Sequence, residues 1–213
     1  MVLGFLFILT IHPARAQQAW PFSDEIASFV HRDSVKAPLK GAILFVGSSS
    51  IRKWTDLKSR FPGYAILRRG FGGSTFADLL HYASTIVWPY RPSKIFVYEG
   101  ENDLAFGQSK DSVYSRFLQF YQAMRQRLPE TKMYFISIKP DPSRMRYLPE
   151  VIDLNGRIRK FCLHHPCYLK YLDVFQPMML VNGHPKPSIF VSDSLHMNSR
   201  GYDIWQSVIR KDL

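Results

Sequence analysis

Cysteine is nearly missing from this chain. Cys162 and Cys167 are its two thiols, too few for a disulfide-stapled scaffold or a cysteine-rich zinc site. They flank His164-His165 in Cys-Leu-His-His-Pro-Cys, a spacing that fits no standard zinc pattern. A local disulfide and a pair of buried free thiols are both open readings, and neither would be catalytic. Acidic residues are also sparse, 17 Asp and Glu against 28 Lys and Arg, for a formal net charge of +11. That balance would attract a polyanion. The basic residues nevertheless come as short scattered pairs (Arg52-Lys53, Arg68-Arg69, Arg144 and Arg146, Arg157 with Arg159-Lys160), the pattern of a solvated surface rather than of a nucleic-acid-binding face. With 12 glycines and 14 prolines in 213 residues, collagenous and low-complexity chains are excluded.

Long apolar runs are lacking too. The first, Val2 to Ile11, is too short to span a bilayer, and no later stretch reaches the ~18 apolar residues a membrane helix needs. Ala14-Arg15-Ala16 follows the first run, the small-x-small pattern that a signal peptidase accepts, although no Lys or Arg precedes Val2. Residues 1–16 are therefore read as a cleaved export signal, residues 17–213 as the mature domain, and the compartment as periplasmic or extracellular. A buried amino-terminal helix is the alternative.

What is present is an ordinary core composition, 46% hydrophobic and 15% aromatic, enough for one packed domain. Ser23 can cap a helix with Asp24 and Glu25 in its first turn and Phe22, Ile26, Phe29 and Val30 on one face. Short apolar runs that read as buried strands follow at Ala42 to Val46, Tyr64 to Leu67, Ile95 to Tyr98, Met133 to Ile138 and Tyr168 to Phe175. Helical stripes lie among them: Val113, Phe117, Phe120, Tyr121 and Met124, then Val151, Leu154, Ile158 and Phe161, then Tyr202, Trp205, Val208 and Ile209 behind a cap at Asn198 or Ser199. Such alternation predicts a single three-layer α/β/α domain with a parallel sheet of about five strands. Lys139 to Pro149 and Pro177 to Val191 read as long surface loops.

Four segments fall at strand ends or in a late loop, where open α/β sheets bind ligands. Gly47-Ser-Ser-Ser50 leaves the first strand and can raise a serine hydroxyl at a helix start. Arg69-Gly-Phe-Gly-Gly-Ser-Thr75 follows the second strand; its glycines permit close backbone approach, but the phosphate-loop ending is absent. Tyr98-Glu-Gly-Glu-Asn-Asp-Leu104 ends the third with an Asn that can donate to a developing oxyanion or cap a turn. In Ser192-Asp-Ser-Leu-His196 the acid and imidazole are three residues apart, so Asp193 can orient His196 within one turn.

Together these blocks, in this order across the chain from Ala42 onward, resemble the SGNH hydrolases, also called GDSL-type esterases and lipases. The resemblance implies a flavodoxin-like five-stranded parallel sheet of order 2-1-3-4-5, with the site at the switch point between the first and third strands. It also implies Ser49 as nucleophile, Asp193 and His196 as its partners, and an oxyanion hole from the N–H groups of Ser49 and Gly73 and the side chain of Asn102. No metal or cofactor is implied. Ser48 stands where the family usually has Asp, and Ser50 is the rival nucleophile. Arg68 stands where many members carry Asn, which leaves local support of the glycine loop without its usual residue.

The function expected is hydrolysis of carboxylic esters through an acyl-enzyme on Ser49, with a short-chain substrate such as an acetylated carbohydrate. Lysophospholipase or thioesterase chemistry on the same site, and a non-catalytic glycan- or lipid-binding module, are the alternatives. Nucleic acid is not an expected partner. Glu99, Glu101 and Asp103 resemble the paired acids of glycoside hydrolysis, which needs two carboxyls at a defined separation across a cleft; Asp103 reads instead as a local hydrogen-bond partner in the third block. His31, His81 and His184 read as surface or structural. Met178, Met179 and Leu180 could line an acyl groove, with core packing as the default.

Overall fold

The computed structural model describes residues 20–213, so the export-signal reading of residues 1–16 lies outside the described residues. Five parallel strands, β1 (Ile43–Gly47), β2 (Ile66–Gly70), β3 (Lys94–Tyr98), β4 (Lys132–Ile136) and β5 (Leu169–Leu172), form one sheet of order β2-β1-β3-β4-β5. Successive side chains of a strand face opposite ways, and both faces here are apolar. Leu44, Val46, Ile95, Val97, Met133 and Phe135 pack into one core with α1 (Ser23–Val35), α4 (Phe76–Ile86), α6 (Lys110–Arg127) and α7 (Leu148–Leu163). Ile43, Phe45, Phe96, Tyr98, Tyr134 and Ile136 pack into the other with α2 (Ser49–Arg52), α3 (Leu57–Arg60) and α8 (Ser199–Ile209). Continuous apolar strands are what a sheet covered on both sides requires. The expected class, layer order and strand order all hold.

Among the described residues, no helix is long and apolar enough to cross a membrane. The short α5 (Glu101–Ala105) follows β3 directly, placing the third block at the carboxyl end of the central strand. The stripe predicted for α6 is buried throughout, Ser109 caps that helix, and it ends at Arg127 before Pro129. Asn198 is the cap of α8, accepting from the N–H groups of Arg200 and Gly201.

Several local expectations are corrected. Ser23 is the first helical residue rather than the cap; Phe22 holds that place in the left-handed conformation, with no side-chain cap, and Val30 is exposed. Strand β2 runs to Gly70 because Arg68 and Arg69 find partners at its end. Arg69, expected on the solvated surface, is buried between Asp33, Tyr90 and the ring of Phe29. On α7 the inner stripe closes with Cys162, Phe161 being half-buried. Strand β5 stops at Leu172, after which the Val174 and Phe175 N–H groups both turn to Ser137 Oγ at 3.0 Å. The segment from Lys139 to Pro149 is no plain surface loop: Lys139 is 1% exposed, Pro142–Tyr147 form a 3-10 turn and α7 begins at Leu148. The later loop buries Met178, Ile189 and Phe190 while exposing Leu180 and Val181. The cysteines are unpaired, Cys162 buried and Cys167 exposed.

Candidate active site

The carboxyl ends of β1, β2 and β3 meet at Gly47, Gly70 and Tyr98, which are in register across the sheet. At Gly47, φ is +139°, and a Cβ would stand 2.1 Å from the carbonyl oxygen of Tyr98. Only glycine lets β1 turn there while staying paired to β3. Ser48 N–H then donates to Tyr98 O at 3.1 Å, and Ser49 opens α2 half-buried, just past the carboxyl end of β1. Ser50, the rival, is buried, and its carbonyl receives the Tyr202 hydroxyl at 2.9 Å.

The late loop arrives from the α8 side. Asp193 Oδ1 accepts the N–H groups of Leu195 and His196 at 2.9 and 2.8 Å, and Oδ2 lies 2.6 Å from His196 Nδ1. His196 Nε2 is 3.1 Å from Ser49 Oγ. Burial pushes the carboxylate of Asp193 upward, but the bonds from the imidazole and the two N–H groups together outweigh it and hold the group well below the usual carboxylate range. A carboxylate so held fixes the ring tautomer with a proton on Nδ1, leaving Nε2 free to accept from the serine.

Glycine turn and third block complete the surroundings. Phe71 N–H donates to Gly47 O at 3.0 Å, tying the two strand ends together. Gly73 has φ +79° and open space around its α-carbon, and the turn then enters α4 through a capping box between Thr75 and Asp78. Among the described residues, neither Ser49 N–H nor Gly73 N–H donates to a protein acceptor. Asn102 is buried, with Nδ2 donating to Ser74 O at 2.9 Å and Oδ1 accepting from Arg144 Nη1 at 3.0 Å. One of its two amide hydrogens is used by Ser74, which leaves the second for a ligand.

The place of Arg68 is also explained. Its guanidinium donates to the carbonyls of Arg52 and Trp54 at 2.8 and 2.7 Å, bracing the end of α2. Glu25 supports the glycine turn itself, accepting from Gly72 N–H at 3.2 Å and pairing with Arg52 at 3.1 Å. The glycine loop is thus held by Glu25, while Arg68 secures the end of α2 beside it.

A serine hydroxyl, an imidazole oriented by a carboxylate, and unengaged N–H groups beside them form a constellation suited to acyl transfer. The sequence profile of the GDSL-like lipase/acylhydrolase family matches residues 45–204. The chain belongs to this family. It is accordingly an ester-bond hydrolase. No curated protein matches the sequence significantly. Solved structures share the fold: a GDSL-like lipase from Bacteroides thetaiotaomicron is 19% identical with a TM-score of 0.76, the alignment covering 87% of this chain and 95% of that one. A lipase/acylhydrolase from Enterococcus faecalis is 16% identical at a TM-score of 0.64, over 80% and 94% of the two chains. A catalytic mutant of an acetylxylan esterase from Geobacillus stearothermophilus is 12% identical at 0.63, over 82% and 94%.

For this GDSL-family chain the structure brings together Ser49, Asp193 and His196, and sets Gly73 and Asn102 at the neighbouring strand ends. The three acids of the third block do not form a cleft pair. Asp103 accepts from Phe76 N–H at 3.1 Å and faces Arg116, a local partner as expected, with burial lifting its pKa to about 6. Glu99 is fully buried beneath the glycine turn against Ser74 Oγ, and burial raises its pKa well above the usual value. Glu101 belongs to a buried ion cluster with Lys139 and Arg144. Sequence reading missed that cluster. Its signal was the place of Lys139-Pro140-Asp141 just past a buried strand, where charge is uncommon unless partnered.

Proposed function

We propose that this GDSL-family hydrolase cleaves carboxylic esters through an acyl-enzyme on Ser49, acting on short acyl groups such as the acetyl esters of carbohydrates. The observation that carries the proposal is the continuous chain from Asp193 Oδ2 through His196 to Ser49 Oγ, with links of 2.6 and 3.1 Å.

A neutral serine hydroxyl is a weak nucleophile, so His196 Nε2 takes its proton as the oxygen bonds to the ester carbonyl carbon. Asp193, ionised at neutral pH, stabilises the imidazolium that results. Negative charge grows on the former carbonyl oxygen, where the N–H groups of Ser49 and Gly73 and the free Asn102 N–H can meet it. Each such donor is typically worth ~10²–10³ in rate. Collapse of the tetrahedral species expels the alcohol, which receives the proton from His196. Water then attacks the acyl-enzyme by the same route, and Ser49 leaves with its proton restored.

The short-chain preference is supported by the charged guanidinium of Arg144 held against Asn102 and by the fold shared with an acetylxylan esterase. Met178 of the candidate acyl groove is buried in the core. We further propose that the protein is exported, on the strength of residues 2–16; sequencing the amino terminus of the protein recovered outside the cytoplasm should begin at Gln17. A p-nitrophenyl ester series from acetate to palmitate, run beside acetylated xylo-oligosaccharides, tests the substrate. Rates should be highest at two to four carbons; an optimum at twelve or more would replace this reading with a lipase-like one.

A further inference from the structure

The turn that follows β4 rests on buried charge. Lys139 Nζ lies 2.8 Å from Glu101 Oε1 and 3.5 Å from Asp141 Oδ2, and the Tyr98 hydroxyl donates to Glu101 Oε2. Lys139 and Arg144 hold Glu101 ionised against the upward push of its burial. Such a cluster is weak support for stability, because desolvating the ions offsets most of their attraction. It does fix where the next residues go. Ser143 Oγ donates to Asp141 at 2.8 Å, and Ser143 N–H donates to the carbonyl of Ser194 at 3.1 Å. Ser194 lies between Asp193 and His196 and sits in the left-handed conformation at φ +55°. One residue further on, Arg144 Nη1 meets Glu101 Oε1 at 3.3 Å and Asn102 Oδ1 at 3.0 Å. Two adjacent residues thus bond both the triad loop and the oxyanion asparagine.

We propose that Arg144 is a positioning residue that acts through Asn102, and that the Ser143-Arg144 turn sets Asn102 and the Asp193–His196 loop relative to one another. The inference rests on the role given to Asn102 above. An asparagine amide can turn over by half a rotation at little cost unless both ends are held. Here a flip would set Oδ1 against Ser74 O and the NH₂ group against the guanidinium, so Arg144 and Ser74 together aim one N–H at the substrate. The bond to Arg144 is charge-assisted. It draws density from the amide oxygen and makes the remaining N–H a stronger donor, which matters most when charge develops on the substrate oxygen.

The test is a kinetic cycle on p-nitrophenyl acetate with wild type, Arg144→Ala, Asn102→Ala, the double variant and Ser49→Ala. Losing a donor outright costs ~10²–10³, so losing its alignment should lower kcat in Arg144→Ala by about 10-fold or more, with KM changed less than about 3-fold. The double variant should be no slower than Asn102→Ala alone, because residues acting as one unit are not additive. Arg144→Lys, which keeps one charged donor, should recover part of the loss, as should added guanidinium ion with Arg144→Ala. Losses that multiply in the double variant would overturn the proposal, as would a raised KM at unchanged kcat, which would put Arg144 in contact with substrate. Normal turnover by Arg144→Ala with a slow Asn102→Ala would remove Arg144 alone. Equal rates for wild type and Ser49→Ala would instead remove the acyl-enzyme reading beneath it. Should Arg144→Ala fold poorly, Arg144→Lys and Arg144→Met carry the same cycle.

Discussion

Gly47→Ala should damage both the fold and the site, and the size of the effect follows from one contact. The added Cβ would lie 2.1 Å from Tyr98 O and 2.8 Å from Tyr98 C, against about 3.3 Å for the closest comfortable approach of carbon to a carbonyl oxygen. The shortfall is about 1.2 Å by that measure. The obstacle is backbone of the central strand rather than the movable end of a side chain. Relief therefore means parting β1 from β3 at this point and stretching the 3.1 Å bond from Ser48 N–H to Tyr98 O. Strain from a non-glycine residue at φ +139° adds ~1–3 kcal/mol, and a buried hydrogen bond lost adds ~1–3 kcal/mol. The sum is about 2–6 kcal/mol, or a fall in Tm of roughly 5–20 °C for a domain of this size. Because Ser49 is two residues on, a displacement near 1 Å at its hydroxyl should, on the proposed mechanism, also cost ~10² in kcat. Thermal unfolding by circular dichroism and ester hydrolysis would be measured on the same preparation. A variant with the wild-type Tm and rate would refute the contact argument.

Glu99→Gln should be tolerated. Burial holds the folded pKa of Glu99 well above its ordinary value, so the folded chain keeps a proton that the unfolded chain releases above about pH 4.3, and this group costs stability as pH rises from there. Gln lacks that penalty, so the Tm of the variant relative to wild type should improve from pH 4.5 to pH 8; a relative decline over that range would count against a neutral Glu99. The cysteines should differ sharply, since burial pushes the Cys162 thiol up to about 12 while Cys167 is exposed. A thiol reagent at pH 8 should titrate one group in the native protein and two after denaturation; two in the native state would contradict the burial of Cys162.

Much of the fold was legible because apolar runs and helical stripes are local signals: the α6 stripe needs nothing but its own spacing. The candidate site was legible for a related reason, since Ser49, Gly73, Asn102, Asp193 and His196, the residues proposed for it, each sit in a short distinctive segment. What escaped reading depends on partners distant in sequence. Arg69 looked like surface charge because Asp33, 36 residues away, supplies its ion pair. Lys139 looked like loop charge because Glu101, 38 residues away, receives it. The bracing roles of Arg68 on the α2 carbonyls and Glu25 on Gly72 are likewise invisible until β2, α1 and α2 are set side by side. Strand ends were misjudged where polar residues continue a ladder, as Arg68 and Arg69 do in β2, or where a side chain such as Ser137 captures the next N–H groups.

The most direct test of the central claim is hydrolysis of p-nitrophenyl acetate by the folded protein beside Ser49→Ala, with the mass of the protein recorded after reaction with a fluorophosphonate. The account predicts turnover and a single phosphonyl adduct on Ser49 in the wild type, and neither in the variant. Undiminished turnover by a folded Ser49→Ala, or an adduct on another residue, would contradict it.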